Sequence, residues 1–103
     1  MPAFRVVTTV RSDRIELAVW GEVDLGSADE IVSSGLAGLT AQPALTLVVD
    51  LAEVTFMDSS ALRALLEVRN VLQEHGADFE LVNPSSAVAR LLDVTAMAGI
   101  FGL

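Results

Sequence analysis

The sequence predicts an α/β fold, on three observations. Short β-branched runs alternate along the chain with longer segments whose apolar residues recur every three or four positions. Leu45 to Leu51 is apolar except for Thr46 and Asp50, the pattern of a central strand covered on both faces. Residues that start or stop helices flank the periodic segments.

Phe4 to Val10 and Ile15 to Trp20 are rich in β-branched and apolar residues, and Arg11-Ser12-Asp13-Arg14 supplies turn chemistry between them, so they form an antiparallel hairpin. In the second run Ile15, Leu17 and Val19 alternate with Glu16, Ala18 and Trp20, which turns one face to the core. Ser27-Ala28-Asp29-Glu30 has the spacing of a capping box, and Ala28, Ile31, Val32, Gly35, Leu36 and Leu39 then recur at helical intervals. This first helix stops before Pro43.

After the strand Leu45 to Leu51, Val54-Thr55-Phe56-Met57 reads as a short apolar loop that leads into a helix from Ser59. There Leu62, Leu65, Leu66, Val68, Val71 and Leu72 form an apolar stripe opposed by Arg63, Glu67, Arg69, Asn70, Gln73 and Glu74. Gly76, following His75, is a natural residue just past a helix end. Asp78 to Val82 is a short strand. Asn83 as N-cap and Pro84 at the first helical position open a third helix that runs to about Leu92, with Val88, Leu91 and Leu92 on its apolar side. The small, apolar sequence after Asp93 fits one further short helix.

At 103 residues the chain is read as one domain, residues 1–103, and its 52% hydrophobic content is enough for a core, which excludes a disordered chain. Six arginines, no lysine and fourteen acids give a net charge of −8. The arginines are scattered singly, so direct nucleic-acid binding, which needs a basic face, is excluded; basic protein partners are favoured and anionic membranes repelled. With no cysteine, disulfides, thiolate metal sites and cysteine nucleophiles are excluded too. The N-terminus lacks the apolar region of a signal peptide and no apolar run approaches the roughly 18 residues of a membrane span. A soluble, cytoplasmic protein is expected.

Catalytic constellations are missing. A serine hydrolase needs a histidine near its hydroxyl, and the single histidine, His75, lies roughly 24 Å from Ser59 along one helix at 1.5 Å per residue. No Gly-x-Ser-x-Gly elbow occurs, and His75 fits the negative end of its helix. Glu22, Asp24, Asp50 and Asp58 fall near element ends like the acidic pocket of a receiver domain, yet such a pocket relies on a lysine that this chain lacks. No phosphate-cradling glycine loop is present. The chain is therefore read as no enzyme, with no cofactor and no metal site. Ser59 and Ser60, beside Asp58 at a helix start, have two readings: helix-capping residues, or acceptors of a phosphate that free backbone N–H groups there would accommodate.

Asp50-Leu51-Ala52-Glu53-Val54-Thr55-Phe56-Met57-Asp58-Ser59-Ser60-Ala61-Leu62 closely resembles the signature of STAS domains, specifically the bacterial anti-sigma factor antagonists. Gly21-Glu22-Val23-Asp24 resembles a second family motif, and Asn83-Pro84-Ser85-Ser86 to Leu92 a third. The resemblance implies a mixed β-sheet of four to five strands with helices packed on one side. It implies a partner switch as well. Unphosphorylated, such a protein binds an anti-sigma factor that is also a serine kinase; phosphorylation of the serine after the motif aspartate, here Ser59, turns binding off, and a PP2C-type phosphatase resets it. By the same resemblance Asp24, Asp58, Ser59, Ser60, Ala61 and Arg63 form the partner-binding surface.

Ala61 and Arg63 replace family glycines, adding bulk and charge where a partner backbone approaches. Arg63, four residues after Ser59, is spaced to pair with a phosphate there or with Glu67. The chain stops at Ile100-Phe101-Gly102-Leu103, short of the family's last strand and helix, which leaves Phe101 and Leu103 exposed or buried in a homodimer. Two other roles fit the resemblance: a STAS subunit of a lipid-transport ABC complex, or a scaffold or sensor module trimmed from a longer protein.

Overall fold

The computed structural model describes residues 4–41 and 46–103, with the side chains of 38–41 left aside. In chain order the elements are β1 (Phe4–Val10), β2 (Ile15–Val23), α1 (Leu25–Ala41), β3 (Thr46–Met57), α2 (Ser59–Glu74), β4 (Asp78–Val82), α3 (Ser86–Val94) and a 3-10 turn, Ala98–Phe101. The strands form one sheet in the order β1-β2-β3-β4, antiparallel between β1 and β2 and parallel thereafter. Four strands and one helical layer match the expected mixed sheet. The hairpin forms as read, its turn closed by the Arg11 N–H donating to the Arg14 carbonyl at 2.8 Å.

Strand alternation selects the helical face. Ile15, Leu17 and Val19 on β2, Leu47, Val49 and Leu51 on β3, and Phe79 and Leu81 on β4 are buried in one cluster with Ile31, Leu62, Leu65, Val88 and Leu92 of the helices. Burial of this cluster is the main term holding the layers together, at about 25 cal/mol per Å² of apolar surface. Gly35 lets α1 lie close to the sheet, since a Cβ there would stand 2.8 Å from Leu47 Cδ2. The opposite face carries no helix among the described residues. Contrary to the two-sided cover expected for the central strand, Thr46, Val48 and Asp50 are only half-buried, screened by neighbours such as Ala18 and Val82. Pro43 and Leu45 lie outside the described residues.

The largest departure from the sequence reading is β3, which runs through Val54–Met57 instead of ending in a loop at Leu51. Its buried positions change from every second residue, at Leu47, Val49 and Leu51, to every third, at Val54 and Met57. The cause is two register shifts against β2, between Ala18 and Trp20 and again between Gly21 and Glu22. Gly21 adopts φ +92°, a conformation that favours glycine, and β2 continues past Trp20 to Val23. β4 pairs only with Thr46–Asp50, so the far half of β3 is flanked by α3 instead.

Three further expectations are corrected. α1 begins at Leu25 with Asp24 as its cap, so Ser27 is a first-turn residue rather than the N-cap. α3 is capped by Ser85, which accepts from the Val88 N–H, while Asn83 takes φ 50° in the connecting turn. Phe101 is buried against Phe79, ring centroids 6.2 Å apart, and only Leu103 remains exposed. α2 matches its prediction, ending at His75 and Gly76, the latter at φ +78°.

Candidate functional site

The parallel strands β2 and β3 end level with each other, Val23 beside Met57, and an aspartate follows each. Asp58 is extended, φ −95° and ψ 168°, so its carbonyl starts the hydrogen bonding of α2 while its Oδ1 accepts from the Ala61 N–H at 2.8 Å. Asp24 does the same for α1: its Oδ1 accepts from the Ser27 N–H at 2.9 Å and the Ser27 hydroxyl at 3.1 Å. The Asp58 N–H donates to the Val23 carbonyl at 3.2 Å and ties the two caps together. Two helix N-termini thus open side by side at the carboxyl ends of adjacent parallel strands, the edge where α/β sheets present their sites.

Ser59 and Ser60 occupy the first turn of α2, both exposed. The first N–H groups of a helix have no intrahelical partner, and Asp58 satisfies the one at Ala61. An anion on Ser59 therefore meets free N–H donors and the positive end of the helix dipole. The bulk expected from Ala61 points inward, because its methyl is wholly buried. Arg63 is exposed and makes no ion pair with Glu67 or any other acid among the described residues.

The other acids do not converge. Glu22 is exposed on β2, while Asp50 is held in mid-sheet by the Ala52 N–H at 3.0 Å and the Asn83 amide at 3.3 Å. Among the described residues no three acids or histidines group to hold a metal ion. His75 binds its own helix end, with Nδ1 at 2.8 Å from the Val71 carbonyl.

Phe56, half-exposed by the second bulge, and Val94 of α3, 77% exposed, form an apolar cleft beside the caps with Met57, Leu91 and Arg90. Sequence reading passed over both residues. An aromatic left outside a strand's buried set was the available signal for Phe56; Val94 carried none. Leu25, half-exposed on α1, adds to the apolar surface around the paired helix starts.

The family model of the STAS domain matches residues 5–103. The chain belongs to the STAS domain family. Its Listeria monocytogenes relative, an anti-sigma-B factor antagonist, is 28% identical over 89 residues, covering 86% of this STAS domain and 77% of the relative. Among solved structures, an anti-sigma factor antagonist from Mycobacterium paratuberculosis superposes with a TM-score of 0.79 at 23% identity, covering 97% of this chain and 84% of that one. The anti-sigma factor antagonist SpoIIAA, unphosphorylated, gives 0.74 at 21% identity, covering 94% and 84%. These likenesses establish the fold of the STAS domain. No helix among the described residues is long and apolar enough to cross a membrane.

The Ser27 backbone N–H, and after it the Ser27 hydroxyl, hold the Asp24 carboxyl below the ordinary aspartate range. A depressed folded value means that the α1 cap stabilises the domain above the unfolded aspartate pKa, about 3.9, and is lost as pH falls through the lower folded value. A carboxyl-carbon NMR titration is expected to place the Asp24 midpoint below that reference. Ser27→Ala, which keeps the N–H and removes the hydroxyl, should move it part of the way back. A wild-type midpoint at or above the reference would contradict the described cap.

Proposed function

We propose that this STAS domain is an anti-sigma factor antagonist, a partner switch worked through Ser59. The observation that carries the reading is an exposed serine hydroxyl on a helix start already capped by Asp58, so a phosphate can be added without rebuilding the fold. Two likenesses support it: the Listeria relative named an anti-sigma-B factor antagonist, and SpoIIAA, whose structure is solved both unphosphorylated and, in Bacillus, phosphorylated.

Unphosphorylated, the surface of Asp24, Asp58, Ser59, Ser60 and Arg63, with Ala61 seating the turn from beneath, takes up an anti-sigma factor that is also a serine kinase. The apolar cleft at Phe56 and Val94 receives its non-polar side chains. The kinase transfers the γ-phosphoryl of ATP to the Ser59 oxygen, whose proton leaves to the kinase base, and ADP is released. The added charge of about −1.5 to −2 then stands against a contact shaped for a neutral hydroxyl. A PP2C-type phosphatase hydrolyses the ester and restores binding. A cytoplasmic location belongs with this role.

Incubation with the cognate kinase and Mg-ATP, followed by mass spectrometry, tests the reading. One phosphate on Ser59 is expected in the wild type and none in Ser59→Ala. Absence of modification on any serine, or modification that persists in Ser59→Ala, would overturn it.

A further inference from the structure

The sheet has two edges, and they are built differently. β4 is blunted in three ways: it is five residues long, it carries Asp78 and Glu80, and the 3-10 turn packs beside it through Phe101 on Phe79. β1 shows none of these devices. It is seven residues of Phe4-Arg5-Val6-Val7-Thr8-Thr9-Val10, without proline or acid, in unbroken register with β2 along its inner side. Its one charge, Arg5, lies over the Trp20 ring at 5.3 Å. No described element covers the outer side, where alternate residues present N–H and C=O groups, and Val7 and Val10 are 36% and 53% exposed.

Backbone groups in that array are matched by another extended strand. We infer that β1 is a self-association edge, pairing antiparallel with β1 of a second copy to join two sheets into one. Charge selects a second copy at this place. Phe4–Trp20 carries three arginines against Asp13 and Glu16, a net +1, in a chain whose remaining residues sum to −9. Two copies repel least where their hairpins meet, because that contact holds the strongly acidic remainder of each chain away from the other.

Register follows from length. The alignment that pairs all seven residues puts the two-fold axis at Val7, with Phe4 opposite Val10, Arg5 opposite Thr9 and Val6 opposite Thr8 of the second copy. No like charges face each other, and Val10 covers Phe4, which is half-buried against the core. β2 separates this edge from β3 and Ser59, so both copies keep their helix starts open.

Sedimentation velocity on the full chain, in a concentration series reaching about 1 mM, is expected to show a dimer. Val7→Lys, which sets two ammonium groups across the axis, should raise the dissociation constant at least tenfold with the circular dichroism unchanged; Thr9→Lys serves if that variant does not fold. Since the chain has no cysteine, Val7→Cys should give a disulfide-linked dimer under mild oxidation. Val94→Cys, exposed on α3, should give only collisional background. A monomer throughout the series, a dimer unweakened by the lysine variants, or equal cross-linking of the two cysteine variants would overturn the inference.

Discussion

Ser59→Glu is expected to lower affinity for the anti-sigma factor at least about 100-fold, close to 2.8 kcal/mol, with the fold retained. Ser59 is the first residue of α2 and is exposed, so a carboxylate there faces unpaired N–H groups at the positive end of the helix, a contribution of about 0.3–1 kcal/mol. Repulsion from Asp58 works against it. The net change in stability stays within about 1 kcal/mol on that balance. At the interface the carboxylate must shed water beside Asp58 or face an acid of the partner, and like charges brought together in an interface cost several kcal/mol.

Ser59→Gln separates charge from size, being as long as Glu and neutral. It should keep affinity within about tenfold of wild type, 1.4 kcal/mol. Isothermal titration calorimetry on the three proteins distinguishes the cases. Glu equal to wild type would remove Ser59 from the contact. Gln as weak as Glu would make the switch steric rather than electrostatic.

The parts of this site that were legible in the sequence are those held by neighbours in the chain. Asp58 and Ser59 adjoin, and a cap followed by an exposed hydroxyl is a local pattern; the helix it starts was placed to the residue. Elements defined by contacts across the sheet were less visible. Val54–Met57 reads as a loop because Val54, Phe56 and Met57 do not keep strict alternation, and burial at Val54 and Met57 is explained only once pairing with β2 supplies two bulges. β2 continues past Trp20 through Gly21, at φ +92°, to Val23, and the Ser27-Ala28-Asp29-Glu30 spacing mimics a capping box although Asp24 caps α1. At α3, Asn83 and Pro84 mimic a cap and first turn, yet only Ser85 is placed to accept from the Val88 N–H. The cleft joining Phe56 to Val94 draws on segments 38 positions apart in the chain, and no local pattern announces it.

The apolar stripe of α2 carries the same lesson into energetics, because its members look alike in sequence and differ in the fold. Leu65 is wholly buried between the sheet and the other helices, whereas Val71 is 48% exposed near the far end of α2. Leu65→Ala leaves a cavity that close-packed neighbours fill only in part, so a loss of about 2–5 kcal/mol is expected. Against a typical domain stability of 5–15 kcal/mol, that lowers the melting temperature by at least about 10 °C. Val71→Ala should fall within about 0.5 kcal/mol. Urea denaturation with a common slope measures both, and equal losses would contradict the seating of α2. Below its melting transition Leu65→Ala should still capture the anti-sigma factor and accept a phosphate, because the Asp58 cap and the Val23 tie that present Ser59 lie a full turn or more from the cavity.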